Sequence, residues 1–197
     1  MRLYHTTLPA PKGHATSSCN RLVMGLFGKK QGKSLRSQLK ILYRFEEDSQ
    51  RFLIQSLAPP RLDVPGMGVR EVDIAAPPVG AEVEFRFTIN PVRRLTNQNT
   101  GKITQRQCTD TPRSGDEFDS EAMDFAREKL SQFFTPESIE IDYRYRRQIQ
   151  GTILTWLDTV EGLAVVSDPE ALQHALIEGV GRSKSFGSGL LTIDAII

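Results

Sequence analysis

Cysteine, histidine and tryptophan are scarce: 197 residues hold two cysteines, three histidines and one tryptophan. Cys19 and Cys108 form neither a C-x-x-C nor a zinc-ligand spacing, and His5, His14 and His174 are too scattered to complete a metal cluster with them. No resident metal or other cofactor is therefore expected, and both thiols read as ordinary unpaired cysteines. No apolar run approaches the roughly 18 residues of a bilayer span, and 39% hydrophobic with 25% charged residues excludes collagen-like and fully disordered chains. The polar, Pro-containing start from Met1 to His14 lacks the apolar core of an export signal, so a cytoplasmic protein without membrane contact is expected. A chain of this length can bury about 70% of its unfolded surface and so hold a real core.

Acidic residues are absent from the first 45 positions, which carry nine Lys or Arg, whereas the remainder has sixteen basic and twenty-four acidic residues. The net charge of +1 thus hides +9 followed by −8. Lys29, Lys30, Lys33, Arg36 and Lys40 cluster among glycines and serines and set up a positive field. Such a field serves to neutralise phosphates, or it is simply a solvated face.

Arg2 to Leu8 reads as a first strand, and Asn20 or Ser18 as the cap of a short helix bearing Leu22, Val23, Leu26 and Phe27 and ended by Gly28. Residues 39–45 and 51–57 form a strand pair, a Pro-rich stretch runs from Pro59 to Pro78, and Glu82 to Ile89 alternates with period two. Asn90 to Asp116 is polar and is expected to be a linker or exposed loop. A helix is expected over Ser120 to Phe134, strands over 139–145, 149–157 and 163–166, a helix from Asp168-Pro169 to about Glu178, and a last strand from Leu190 to Ile197. The order suggests an α+β protein of tandem ferredoxin-like (RRM-like) β-α-β-β-α-β units: an N-terminal domain over 1–95, a linker over 96–118 and a C-terminal domain over 119–197.

Gly179-Val180-Gly181-Arg182-Ser183-Lys184-Ser185-Phe186-Gly187-Ser188-Gly189 places four glycines and two cations between a helix and a strand. It is no Walker loop, which needs Gly directly before Lys and runs strand to helix. Nor is it a dinucleotide fingerprint, since Lys184 stands where the third glycine belongs. Glycines here let backbone N–H groups approach a sugar-phosphate chain, with Arg182 and Lys184 supplying charge, or else they merely allow a sharp reversal of the chain.

This segment, followed by Leu190-Leu191, resembles the signature loop of the repeat-associated CRISPR proteins, and more closely that of the CasE type of subtype I-E Cascade complexes. Three further pieces agree in order: Asn20 to Phe27 as N-R-L-V-M-G-L-F, Phe85 to Arg94 as a strand ending in N-P, and Val160-Glu161-Gly162-Leu163 with Asp168-Pro169. The resemblance implies tandem ferredoxin-like domains and metal-independent cleavage of precursor CRISPR RNA at the base of a repeat hairpin. There the 2′-hydroxyl attacks the neighbouring phosphate and leaves a 2′,3′-cyclic phosphate. It further implies that the protein stays on the product hairpin, next to the backbone protein at the 3′ end of the CRISPR RNA in Cascade. A monomer is expected in isolation.

Such chemistry needs a proton acceptor, a proton donor and cations for the growing phosphorane charge. The family's His at the start of the first helix and its Tyr three residues earlier correspond by register to Asn20 and Ser17, and an amide transfers no proton near neutral pH. His14 and Lys184 are the remaining candidates for the catalytic set. For RNA contact the candidates are Lys29, Lys30, Lys33, Arg36, Arg93, Arg94, Gly181, Arg182, Lys184 and Gly187. Arg144, Arg146 and Arg147 join them, although beside Tyr143 and Tyr145 they equally suit a plain exposed strand. The competing expectations are a hairpin-capping subunit without cleavage and a ferredoxin-like metabolite sensor whose glycine loop plays no part.

Overall fold

The strand β1 (Arg2–Pro9) buries residues on both faces of the first sheet, Leu3 and His5 on one and Thr6 and Leu8 on the other. The computed structural model describes residues 1–11, 19–28, 35–98, 100–149 and 155–197. After β1 come two short helices, α1 (Cys19–Gly25) and α2 (Leu35–Gln38), then the hairpin β2 (Leu42–Glu46) and β3 (Arg51–Ser56), then β4 (Gly68–Asp73). All pairings are antiparallel, in the order β2-β3-β1-β4 of a ferredoxin-like sheet. Val23 and Phe27 pack with Leu8, Ile41, Tyr43, Phe45, Phe52 and Ile54 beneath it. No helix lies between β3 and β4, because Pro59, Pro60 and Pro65 remove backbone donors and fix φ along that crossover. The strand β4 inside this Pro-rich stretch was not legible in the sequence.

The second sheet has the order β10-β5-β9-β8, formed by β5 (Glu82–Ile89), β8 (Glu140–Ile149), β9 (Thr155–Val165) and β10 (Leu191–Ile196). The helices α3 (Glu121–Leu130) and α4 (Pro169–Glu178) complete a β-α-β-β-α-β unit. The expected boundary at residue 95 put β5 in the first unit, but β5 is hydrogen-bonded to β9 and β10, so the second unit starts with it. Only there do Phe85, Phe87 and Ile89 reach the core of Met123, Leu130, Phe133, Phe134 and Leu172. The three strands expected over 139–166 are two long ones. The stretch expected as a linker holds a hairpin, β6 (Val92–Thr96) and β7 (Ile103–Gln107), whose largely exposed side chains left no apolar signal in the sequence. Asp168 caps α4 by accepting from Ala171 N–H at 2.9 Å, with Pro169 in the first turn, as the sequence suggested.

A half-buried ion-pair network joins the sheets. Arg44 of β2, 2% exposed, donates to Glu46 at 2.6 Å and to the Arg86 carbonyl at 3.0 Å, while Arg86 pairs with Glu46 and, at 2.8 Å, with Glu161. Arg147 lies over the Phe45 ring at 4.9 Å, and Gln55 donates to the Leu176 carbonyl at 2.7 Å.

The glycine of the E-G motif has a steric reason. A Cβ on Gly162 would sit 1.8 Å from the Glu140 carbonyl oxygen, where β8 bulges between Ile141 and Tyr143. Gly162→Ala is expected to cost about 2–4 kcal/mol in urea unfolding, and a cost under about 0.5 kcal/mol would contradict this packing.

Candidate nucleic-acid interface

The glycine segment is bound to β5 by main-chain hydrogen bonds. Gly189 N–H donates to the Thr88 carbonyl at 2.6 Å, Thr88 N–H to Leu190 at 3.1 Å, and Val180 N–H to Gly189 at 2.8 Å. Gly187 and Gly189, both at φ +90°, are required there. A Cβ on Gly187 would meet the Tyr43 ring at 2.9 Å, and one on Gly189 would meet the Val180 carbonyl at 2.7 Å. Gly187 is therefore buried and serves packing, whereas Gly181 faces open space.

The N-P corner meets this loop directly, since Asn90 Nδ2 donates to Ser183 Oγ at 2.7 Å. Between them opens a cleft of about 710 Å³ walled by β6, α3 and residues 180–183. Arg94 and Arg182 are exposed at its rim and are ion-paired with none of the described residues. Arg93 also lines the cleft, but it pairs with Glu128 at 2.9 Å and lies over the Phe125 ring at 5.2 Å. Lys129, which the sequence did not single out, approaches the same ring at 5.1 Å. Its signal was available only through the i,i+4 spacing that puts Phe125 and Lys129 on one face of α3.

Asn20 and Lys184 lie on either side of Arg36. The guanidinium donates to Asn20 Oδ1 at 2.5 Å and to the carbonyls of Lys184 at 3.0 Å and Ile41 at 2.8 Å, and it stands 5.5 Å from the Tyr43 ring centre. Tyr43 in turn donates to the Ser185 carbonyl at 2.8 Å, and burial pushes its hydroxyl pKa up. Lys184 Nζ donates to the Glu178 carbonyl at 2.6 Å, and burial lowers its pKa. Arg36 and Lys184 thus brace the loop. Ser17, His14, Lys29, Lys30 and Lys33 lie outside the described residues.

Of the arginines on β8, none is a free surface cation. Arg144 and Arg146 share the carboxylates of Asp110 and Asp158, with Arg144 Nη2 to Asp158 at 2.8 Å, and Arg147 is buried against Phe45. The exposed strand suggested by their alternation with tyrosine is thus a half-covered one. Its acidic partners come from a loop and from the neighbouring strand, a pairing that no local spacing reveals.

A model of the CRISPR associated protein family matches residues 11–194. The chain belongs to this family. Among curated proteins, none matches the sequence. Solved structures share the fold over nearly the whole chain. Thermus thermophilus Cse3, bound to an RNA representing a pre-cleavage complex, is 22% identical with a TM-score of 0.71, covering 99% of this chain and 100% of that one. The CRISPR-associated protein Cas6e from Escherichia coli K-12 is 15% identical with a TM-score of 0.63, covering 98% of each chain. A chain of a CRISPR RNA-guided surveillance complex is 19% identical with a TM-score of 0.64, covering 100% of both.

Two outcomes follow for this CRISPR-associated chain. Arg36→Met strands the carbonyls of Lys184 and Ile41, so it is expected to cost about 1–2 kcal/mol in urea unfolding and to speed hydrogen exchange at Gly187; unchanged exchange would contradict the brace. The hydrogen bond from Arg106 and that from Thr109 N–H hold the Glu121 carboxyl at about 2, below its ordinary 4.5. The folded value is the depressed one, so this tether of the β6–β7 hairpin is complete above the ordinary value and is lost as pH falls through about 2. The Thr109 amide resonance is expected to report that titration.

Proposed function

We propose that this protein processes CRISPR RNA as a CasE-type endoribonuclease: it binds the repeat hairpin of the precursor, cleaves beside it without metal, and stays on the product as a Cascade subunit. The observation that carries the reading is the Asn90–Ser183 hydrogen bond, which draws the N-P corner and the glycine loop to one cleft, with Arg94 and Arg182 exposed at its rim. Duplex RNA is recognised largely through phosphates and shape, and two arginines beside a loop with an unobstructed glycine suit that task. The relatives' solved structures, one of them RNA-bound and one a surveillance complex, support it.

Cleavage runs by attack of the 2′-oxygen on the phosphorus and departure of the 5′-oxygen. It needs a base, an acid and positive charge. Arg36, fixed 2.5 Å from Asn20, supplies charge at the position where the family resemblance puts a histidine. Lys184 steadies the loop, and His14 is the candidate proton carrier.

One observation favours a second reading, a capping subunit that binds without cutting. Asn20 cannot carry a proton, and its Oδ1 is already engaged by Arg36. Incubation with a labelled repeat hairpin in EDTA separates the two. Cleavage to a cyclic phosphate, lost in a His14→Ala variant, supports processing, whereas salt-sensitive binding with intact RNA supports capping. If only the base is missing, Asn20→His is expected to bring cleavage about 100-fold or more above the wild-type background. Arg94→Ala with Arg182→Ala is expected to weaken binding and to flatten the slope of log K against log salt by about 0.7–0.9 for each phosphate that is no longer neutralised. An unchanged slope would sink the cleft assignment.

A further inference from the structure

Two arginines and two carboxylates form a closed neutral box at one end of the second sheet. Arg144 and Arg146 point to the same face of β8, and Asp158 lies opposite Arg146 on β9. Asp158 is fully buried and bonded to Arg144 through Nε at 3.1 Å and Nη2 at 2.8 Å. The Arg146 guanidinium is held 5.1 Å from the Trp156 ring centre. Asp158 balances one of the two cations from inside the sheet. The other is balanced by Asp110, whose carboxylate places one oxygen on each arginine.

Asp110 differs from Asp158 in how it is held. Its side chain is 41% exposed and reaches the box from the end of the β6–β7 hairpin. Thr109, just before it, is anchored by Glu121 at 2.9 Å and by Ala122 at 3.1 Å, while residues 111–117, just after it, are exposed throughout. A phosphodiester offers the same charge and the same pair of oxygens as this carboxylate, and two forked guanidiniums accept either.

We propose that Arg144 and Arg146 form a phosphodiester-binding site whose occupant in this conformation is Asp110, and that an RNA phosphate takes the place of that carboxylate on binding. This rests on the RNA-binding reading above and adds to it a named phosphate contact and the residue that guards it. The exchange is like for like in charge, so the buried Asp158 keeps its partners throughout. Asp110 sets the threshold: weakly bound polyanions do not displace it, and a hairpin anchored at the glycine loop does.

The test measures the Kd of a fluorescein-labelled RNA hairpin, blocked against cleavage by 2′-deoxyribose, for wild type, Asp110→Asn, Asp110→Asn with Arg146→Met, and Glu137→Gln. The last removes an equal charge from an exposed position away from the box. Asp110→Asn is expected to tighten binding about three- to tenfold beyond Glu137→Gln, and the double variant to lose that gain. Binding by Asp110→Asn equal to or weaker than that of Glu137→Gln overturns the proposal, as does a gain that persists without Arg146. If Arg146→Met does not fold, the comparison of the two single variants decides alone. Absence of RNA binding by wild type itself defeats the RNA-binding reading and this proposal with it.

Discussion

The main-chain bonds of Thr88 with Gly189 and Leu190 hold the candidate site together. They fasten the glycine loop to β5, and β5 carries at its other positions the groups that fix everything around it. Arg86 receives Arg44 from the first sheet, Phe85 and Phe87 fill the second core, and Asn90, just past the strand's end, reaches Ser183. A single strand therefore sets the orientation of the two sheets and the position of the loop. Shifting its register by one residue would turn its aromatic side chains outward and release the loop together with them.

The division of labour among cations follows from burial. Arg44, Arg86 and Arg147 lie where desolvation is costly and take carboxylates, carbonyls or an aromatic face as partners. Arg36 and Lys184 spend their hydrogen bonds on carbonyls of the glycine loop and its neighbours. At the rim, Arg94 and Arg182 remain exposed. Charge counted along the chain does not separate these roles. Charge counted with burial does, and among the described cations it singles out Arg94 and Arg182 at the cleft beside the loop.

Period-two alternation located β5 to the residue, and the cap Asp168 with Pro169 located α4. The family motifs likewise named the pieces that the fold brings together. Three features escaped. The strand β4 is short, exposed and set among prolines, so burial never patterned its sequence. The β6–β7 hairpin carries polar and basic residues on both faces and reads like a linker. The partners of Arg144, Asp110 and Asp158, lie 34 and 14 residues away, beyond any helical or strand spacing. What eluded the sequence is what depends on pairing between distant segments.

RNA lying in the cleft between the N-P corner and the glycine loop is the central claim. Photo-crosslinking a 4-thiouridine-substituted repeat hairpin to the protein, with mapping of the modified peptides, tests it directly. Crosslinks within residues 90–95 and 180–187 are predicted. Crosslinks confined to the exposed edge strand β4, or none despite tight binding, would contradict it.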